Sequence, residues 1–436
     1  MYRIKADQST EKLPTGIPHI IGNEAAERFS FYGMKAILAI FLTKYLVDSS
    51  GNTDFMSDDE ASAWIHYFTS AVYITPLIGA IIADRFFGKY KTIILLSMVY
   101  CVGHFALAMD DTRKGILVGL FLIAVGAGGI KPCVSAHVGD QFGKMNSKLL
   151  PRVFGWFYFA INLGAFTSMI ATPILLDKLG PAWAFGVPGV LMVLATLVFW
   201  IGRNRFVHIP PAGNAFFKDV ASKEGRRIAG KLIIIYAFVA MFWALFDQTA
   251  SQWVFQAQKM NRVILGVEIL PEQMQSLNPV LVLVLIPLFS YGLYPFLNRY
   301  FELTPLRKIS IGFFVAIIGF AIPTWLEMRI AAGVRPSLMW QALAYVFLTA
   351  AEVMISITCL EFSYTQAPKS MKSFIMGLFL ASVALGNLFT ALVNQFGASE
   401  FTKTTYFGFF TVCIAVTAVL FLGVVKFYKV DNQPTS

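Results

Sequence analysis

A cluster of ionisable side chains stands near the start of the sequence, within a stretch that is otherwise apolar. Its members recur at positions i, i+3, i+4, i+8 and i+11, and they are Glu24, Glu27, Arg28, Tyr32 and Lys35. On a helix this spacing puts them on one stripe. A carboxylate beside a cation stays ionised and takes up a proton more readily when the cation leaves. The stripe therefore predicts a group that exchanges protons.

Shorter polar stripes interrupt other apolar stretches. They consist of His66, Ser70 and Tyr73; Lys131; Tyr158 and Asn162; Trp243 and Asp247; and Glu352, Ser356 and Cys359. Eight Asp, Glu, Lys and Arg residues in all fall inside apolar stretches, namely Glu24, Glu27, Arg28, Lys35, Lys131, Asp247, Glu352 and Glu361. A charge at the centre of a membrane helix costs about 2.5–3.5 kcal/mol, so we expect these groups to face a shared polar cavity and to neutralise one another.

The side chains of this cavity indicate what it would hold. Acids, bases, tyrosines and a tryptophan suit a zwitterionic solute with a variable middle part. Carboxylates that pair alternately with a base and with a proton would also couple transport to protons. The residues alone therefore predict a proton-coupled carrier of a zwitterionic solute.

The composition shows what kind of element must position these residues. Of 436 residues, 57% are apolar and only 14% are charged, whereas soluble domains carry about 25% charged residues. This excludes a soluble, disordered or collagen-like chain. It also excludes nucleic acid as a partner, despite the net charge of +10. Lys231–Leu245 and Leu281–Phe289 are apolar without alternation, which favours membrane helices over a β-barrel.

The apolar stretches predict an all-α polytopic membrane protein with twelve spans. They lie near 20–45, 62–86, 91–109, 115–139, 152–176, 182–202, 230–255, 278–299, 306–328, 337–366, 371–395 and 404–427. We expect two six-helix bundles, residues 1–203 and 230–436. The linker between them, residues 204–229, mixes a proline pair with basic residues and predicts a short helix on the membrane surface.

The basic residues predict the orientation of the spans. We place the amino terminus inside and count a charge at the end of a span with the adjoining loop. The inner segments then hold 23 Lys and Arg against 8 Asp and Glu. Outer segments hold 9 against 12. Both termini are therefore expected in the cytoplasm.

Two other sequence features are not found. The first 18 residues lack the apolar core of a cleaved signal peptide. The four cysteines show no CxxC pairing that would indicate a disulfide framework or zinc site.

A loop motif indicates the superfamily. Residues 79–91 read GAIIADRFFGKYK, and this pattern resembles the inner loop of the major facilitator superfamily. Glycines permit a tight turn there, and Asp84 and the neighbouring bases could bridge helix ends. Residues 297–299 (LNR) and 307–308 (RK) repeat the pattern faintly, as an internal repeat would.

Longer motifs resemble one family within that superfamily, the proton-dependent oligopeptide transporters. Residues 24–33 (EAAERFSFYG) resemble its ExxERFxYYG motif, and residues 157–164 (FYFAINLG) match FYxxINxG. The other similar segments are GGIKPC at 128–133 with GDQF at 139–142, WALFDQ at 243–248 and EFSYTQAP at 361–368. The resemblance extends over nearly the whole chain. It implies import of di- and tripeptides with protons by alternating access, without a cofactor.

The resemblance also implies roles for individual residues. Proton coupling would involve Glu24, Glu27, Arg28, His66 and Lys131. The peptide would contact Tyr32, Lys35, Tyr73, Lys131, Tyr158, Asn162, Trp243, Glu352 and Ser356, with Glu352 holding its amino terminus. Lys131 would pair with Glu352 or with the carboxylates of the first span. Lys35 and Asp247 would form an outer gate. The bacterial inner membrane is the expected location.

The chain departs from the family pattern in three respects. Lys35 replaces the usual Arg and loses the bidentate fork for a carboxylate. About 26 residues join the sixth and seventh spans, too few for the two extra helices of many bacterial members. About eight join the ninth and tenth, too few for the large extracellular domain of animal members.

Other functions stay open at this point. His66 could be a hydrogen-bonded histidine facing the first span, and Asp247 a structural partner of a neighbouring helix. The cavity could carry nitrate or another small solute, although its carboxylates oppose an anion. A peptide sensor would need a signalling domain, and a membrane enzyme would need a motif such as HExxH or GxSxG, which is not found.

Overall fold

A computed structural model describes residues 2–211, 222–366, 372–397 and 400–428. Within these residues the α-helices, labelled in chain order, are α1 (Ile17–Lys44), α2 (Asp58–Ile82), α3 (Lys89–Met109), α4 (Arg113–Asp140), α5 (Leu150–Leu179), α6 (Pro181–Ile201), α7 (Lys223–Phe246), α8 (Gln252–Gln258), α9 (Leu277–Leu288), α10 (Tyr294–Leu297), α11 (Pro305–Ala331), α12 (Met339–Glu352), α13 (Thr358–Gln366), α14 (Lys372–Phe396) and α15 (Lys403–Phe427). A short antiparallel hairpin pairs β1 (Val263–Ile264) with β2 (Val267–Glu268).

The helices confirm the prediction of an all-α polytopic membrane protein. Eleven helical stretches of the described chain are long and apolar enough to cross a bilayer. The first helix, α1, is absent from that set because each of its 18-residue windows holds at least three charged residues. Its 28 residues are nevertheless about 42 Å long, enough to span the hydrocarbon core.

The chain forms two compact units. Unit 1 comprises Met1–Met56 and Ala71–Lys218, and unit 2 comprises Ser57–Ser70 and Asp219–Ser436. The division passes through α2, whose first turns belong to unit 2 and whose later turns belong to unit 1. The surface helix expected in the linker falls mainly on residues 212–221, which lie outside the described residues.

Unit 1 is built around α1, which packs along α5 and α6, while α3 packs along α4 and α6. Part of α2 approaches α4 closely because both helices carry glycine at the crossing. A Cβ atom on Gly79 would overlap the backbone of Gly129, and one on Gly128 would overlap the side chain of Thr75. Small residues thus allow these membrane helices to come into backbone contact.

Unit 2 pairs α7 with α14, and α11 with α12 and α15. The start of α11 shows how the sequence sets a helix end: the Thr304 hydroxyl accepts a hydrogen bond from the Arg307 amide at 3.4 Å. Pro305 follows at the first helical position, where its missing amide hydrogen is not needed.

In the described part of the chain, three wide π turns interrupt or end membrane helices. They are Ala83–Phe87 after α2, Phe289–Leu293 between α9 and α10, and Val353–Ile357 between α12 and α13. Such turns insert an extra residue into a helix and occur often at functional sites. The third turn directly follows Glu352, a predicted substrate-binding residue.

Candidate functional site

The ionisable residues of α1 form a buried ion cluster in unit 1. The Arg28 Nε atom lies 2.8 Å from Glu24 Oε1 and 2.6 Å from Glu27 Oε2. Glu24, Glu27 and Arg28 are 3%, 0% and 7% exposed. One guanidinium therefore faces two carboxylates. Because ions this deeply buried are costly unless they are paired, the cluster is sensitive to any proton or charge that enters it.

Lys131 of α4 reaches the same part of unit 1. Its Nζ atom lies 4.1 Å from the ring centroid of Phe31 and 4.4 Å from that of Tyr73. The Nζ atom is buried and has no hydrogen-bond partner among the described residues. The helix-1 carboxylates predicted as its partners thus do not hydrogen-bond to it here, and two aromatic rings cover the ammonium group instead.

The other predicted residues of unit 1 differ in burial. Lys35 is buried at 7% exposure, and Tyr32 is half-buried, with its ring edge-on to Phe31 at 5.3 Å. On α5, Asn162 is buried and donates to the Tyr158 carbonyl at 2.9 Å. Tyr158 itself is exposed.

A second polar network lies in unit 2, where His66 of α2 is fully buried. Its Nδ1 atom lies 2.7 Å from Asn387 Oδ1, and its Nε2 atom lies 3.0 Å from Ser251 Oγ. The amide nitrogen of Asn387 donates to Asp247 Oδ2 at 2.8 Å. The network connects two predicted residues, His66 and Asp247, through a third that was not predicted.

The Asn387 amide determines the tautomer of His66. Its nitrogen donates to Asp247 and to the Val383 carbonyl, so its oxygen faces the imidazole. An amide oxygen only accepts, and His66 Nδ1 therefore carries a hydrogen. Nε2 is then the nitrogen that gains or loses a proton, opposite Ser251. Both ring nitrogens thus have hydrogen-bond partners in unit 2, Asn387 and Ser251.

Glu352 lies at the end of α12, where it is half-buried. Its Oε2 atom accepts a hydrogen bond from Asn278 Nδ2 at 2.6 Å, and the same amide lies 3.3 Å from Thr349 Oγ1. Asn278 is not among the residues predicted from the sequence. An asparagine in the apolar run that begins α9 was the available signal.

The predicted stripe of Glu352, Ser356 and Cys359 does not hold as one face. Glu352 and Ser356 are half-buried, whereas Cys359 is fully buried. The reason is the π turn Val353–Ile357, whose extra residue shifts the register so that α-helical spacing fails across it.

Trp243 packs among aromatic rings near the end of α7. Its ring lies edge-on to Phe242 at 5.4 Å and to Phe246 at 5.3 Å. The indole Nε1 atom is buried and has no hydrogen-bond partner among the described residues. Buried polar groups without a partner are uncommon, so this N–H is an exception among the described residues.

The inner-loop motif at residues 79–91 forms an ion pair with an acid from the GDQF segment at 139–142. The Lys89 Nζ atom lies 2.7 Å from Asp140 Oδ2, which joins the start of α3 to the end of α4. Asp84, the residue expected to bridge helix ends, is half-buried and has no ion pair within 4 Å in the described part of the chain. Asp140 therefore takes the role that we predicted for Asp84.

The comparisons with known proteins agree with one another. The POT family profile matches residues 90–223 and 218–407. A Drosophila melanogaster protein, peptide transporter family 1, is 38% identical over 363 residues, which are 72% of this chain and 48% of that protein. Rat solute carrier family 15 member 2 is 35% identical over 397 residues, which are 80% and 53% of the two chains. The chain spans about half the length of the curated relatives it matches.

Solved structures are matched over nearly their whole length. The crystal structure of the POT family transporter PepTSo is 35% identical with a TM-score of 0.85, over 95% of this chain and 98% of that chain. An auto-inhibited POT family peptide transporter is 34% identical with a TM-score of 0.86, over 97% and 99%. These matches confirm the fold of the superfamily and the family resemblance: the chain belongs to the POT family.

Proposed function

We propose that the protein is a proton-coupled symporter that imports di- and tripeptides by alternating access. The observation that carries the proposal is the buried cluster of Glu24, Glu27 and Arg28. A guanidinium shared between two carboxylates responds to a single proton, because protonating one acid leaves the cation to the other. The family membership and the names of the relatives point the same way.

The proposed cycle begins with a proton reaching a carboxylate of α1. Arg28 would then pair with the remaining acid, and Lys131 would be free to move between the helix-1 carboxylates, Glu352 and the peptide carboxylate. Peptide binding and protonation would compete for the same charges, which couples the two. Lys35 and Asp247 are proposed as an outer gate, and His66 as a second proton site.

The proposed peptide site draws on both ends of the solute. Glu352, oriented by Asn278, would bind the amino terminus, and Lys131 and Lys35 would attract the carboxylate. The free indole N–H of Trp243 would donate to a peptide carbonyl oxygen. Tyr32, Tyr73, Tyr158, Asn162 and Ser356 would line the side-chain pockets. The charged termini, which all peptides share, would thus be bound by ion pairs. The variable side chains would make only weaker contacts with their pockets.

The arrangement in the membrane is also proposed. The excess of Lys and Arg in alternate segments supports cytoplasmic termini. The proposed location is the plasma membrane, the inner membrane of a bacterium. We propose domain limits at 1–203 and 230–436, with 204–229 as the cytoplasmic linker.

Uptake by proteoliposomes tests the proposal. Purified protein is reconstituted, an inward proton gradient is imposed, and a labelled dipeptide is followed in the presence and absence of a protonophore. We expect accumulation above equilibrium only with the gradient. Equal accumulation without a gradient would refute proton coupling, and no uptake of any peptide in a competition panel would refute the substrate class.

A carrier of nitrate or another small solute is the alternative. Carboxylates in the site oppose an anion unless they are protonated, and Glu352 suits an ammonium group better. Competition of labelled dipeptide uptake by nitrate, together with no competition by dialanine, would favour this alternative.

A further inference from the structure

Lys131 has an unusual environment for a buried cation. Its Nζ atom lies 4.1 Å from the Phe31 ring centroid and 4.4 Å from the Tyr73 ring centroid, and it has no hydrogen-bond partner among the described residues. Phe31 is fully buried on α1, and Tyr73 belongs to the part of α2 in unit 1. All three side chains therefore lie within one compact unit.

Two ring faces at this distance provide an electrostatic partner for an ammonium group. The face of an aromatic ring is negative, and it attracts a cation within about 6 Å of its centroid. The attraction is strongest where water is excluded, as it is at this Nζ atom. A leucine there would also be apolar but would offer no such field.

We infer that the rings of Phe31 and Tyr73 form an aromatic holding site for Lys131. The ammonium group of Lys131 occupies this site while it is not paired with a carboxylate. The inference deepens the proposed function and rests on it, since Lys131 must exchange partners during the transport cycle. The charged groups around the lysine are Glu24, Glu27, Arg28 and Lys35. The two rings do not replace any of these charged groups. They give the ammonium group an uncharged partner as an alternative to a carboxylate.

The holding site would affect how easily Lys131 leaves a carboxylate. A buried ammonium group with no partner is costly, so a cycle that requires one would stall in the paired state. Ring faces reduce this cost without adding an anion that would itself compete for protons. Phe31 and Tyr73 are thus positioning residues that act through Lys131.

Fluorination of Phe31 tests this inference without changing the packing. Phenylalanine analogues with one, two and three ring fluorines are introduced at position 31 of the full chain by nonsense suppression, and gradient-driven dipeptide uptake is measured in proteoliposomes. Each fluorine weakens the negative face while the ring keeps its shape. We expect a stepwise fall in uptake that reaches about tenfold with three fluorines.

Matched variants separate the ring field from packing. The same fluorine series at Phe41, a buried α1 residue edge-on to Phe185 at 5.0 Å, is expected to leave uptake unchanged. Phe31→Tyr keeps the ring and should retain uptake, whereas Phe31→Leu should lose about as much as the trifluoro analogue. Folding of each variant is verified by gel filtration and thermal unfolding.

The outcomes distinguish this inference from the proposed function. If the unmodified protein shows gradient-driven uptake but the Phe31 series is flat, the holding site is refuted and the function stands. The holding site is refuted in the same way if Phe31→Leu takes up peptide as fast as the unmodified protein. If the unmodified protein shows no gradient-driven uptake, the proposed function fails first.

Discussion

The Nδ1 atom of His66 lies 2.7 Å from Oδ1 of Asn387, which fixes the imidazole in one tautomer. The same amide donates to Asp247 through its nitrogen, so the orientation of the histidine also depends on this acid. Under the proposed function, a proton that His66 takes up would therefore bind at Nε2. Ser251 Oγ lies opposite this nitrogen at 3.0 Å.

Asn387→Ala should therefore impair proton coupling more than folding. Without the amide, both nitrogens of His66 can carry the hydrogen, and Asp247 loses a buried donor. We expect gradient-driven uptake to fall about tenfold, in line with the loss of one buried hydrogen-bond partner. The measurement is uptake against external pH. Ser382→Ala on the same helix removes a hydroxyl that donates to the Phe379 carbonyl, and it should leave the pH profile unchanged.

Glu27→Gln should separate exchange from accumulation. The amide keeps the size of the side chain but cannot take part in an ion pair or release a proton. We predict that peptide counterflow between equal pools survives while concentrative uptake is lost. Loss of both activities in a folded protein would contradict a coupling role for Glu27 and would favour a binding role.

Removing the charge of Arg28 should destabilise the protein. Arg28→Ala leaves two buried carboxylates without their shared cation, and breaking a buried ion pair from one side costs about 3–5 kcal/mol. Thermal unfolding in detergent should show a lower Tm. Raising the proton concentration should recover part of the loss, because protonated carboxyl groups no longer repel each other. A variant with unchanged Tm would show that the cluster contributes little to stability.

Asn278→Leu tests the orientation of Glu352. This substitution removes the 2.6 Å hydrogen bond to the carboxylate and keeps a similar volume. We expect peptide affinity to fall about tenfold, with a smaller effect on peptides whose amino terminus is acetylated, since those lack the ammonium group that Glu352 would bind. Thr349→Val, which removes the other partner of the Asn278 amide, is the control and should have a weaker effect. An equal loss for free and acetylated peptides would disprove the assignment.

Gly128→Leu should disrupt the crossing of α2 and α4. Even a Cβ atom at this position overlaps Thr75, and overpacking typically costs about 1–3 kcal/mol. Expression and Tm should both fall. Gly139→Leu on the same helix is the matched control, because no atom lies within 4 Å of a Cβ there.

The sequence was sufficient to predict the helical architecture and the membrane-buried charges. Long apolar runs dictate helices in a bilayer, and buried charges are rare enough to stand out in such runs. The stripe on α1 was predictable for that reason, and the structure places its Glu24, Glu27 and Arg28 in one ion cluster.

Partners across helices were much harder to predict. Asn278 and Asn387 are single uncharged residues in apolar runs, and nothing in their spacing indicates which acid or histidine they reach. The π turn after Glu352 was also unpredictable, because no residue type specifies it, and it invalidated the assumed spacing to Cys359. Lys131 was predicted as one half of an ion pair, and its contact with two rings depends on packing that periodicity does not reveal.

The π turn at Val353–Ile357 has a consequence for how the chain tolerates length changes. A regular membrane helix that loses one residue rotates everything beyond the deletion by about 100° and shortens by about 1.5 Å. A helix with a wide turn holds one residue in excess at that place. Deleting Ile355 would thus return the segment to regular α-helix instead of breaking it, and it would leave Glu352 and Thr358 in nearly their present angular relation. The helix can therefore lose one residue at this turn while Glu352 keeps its alignment with the turns that follow.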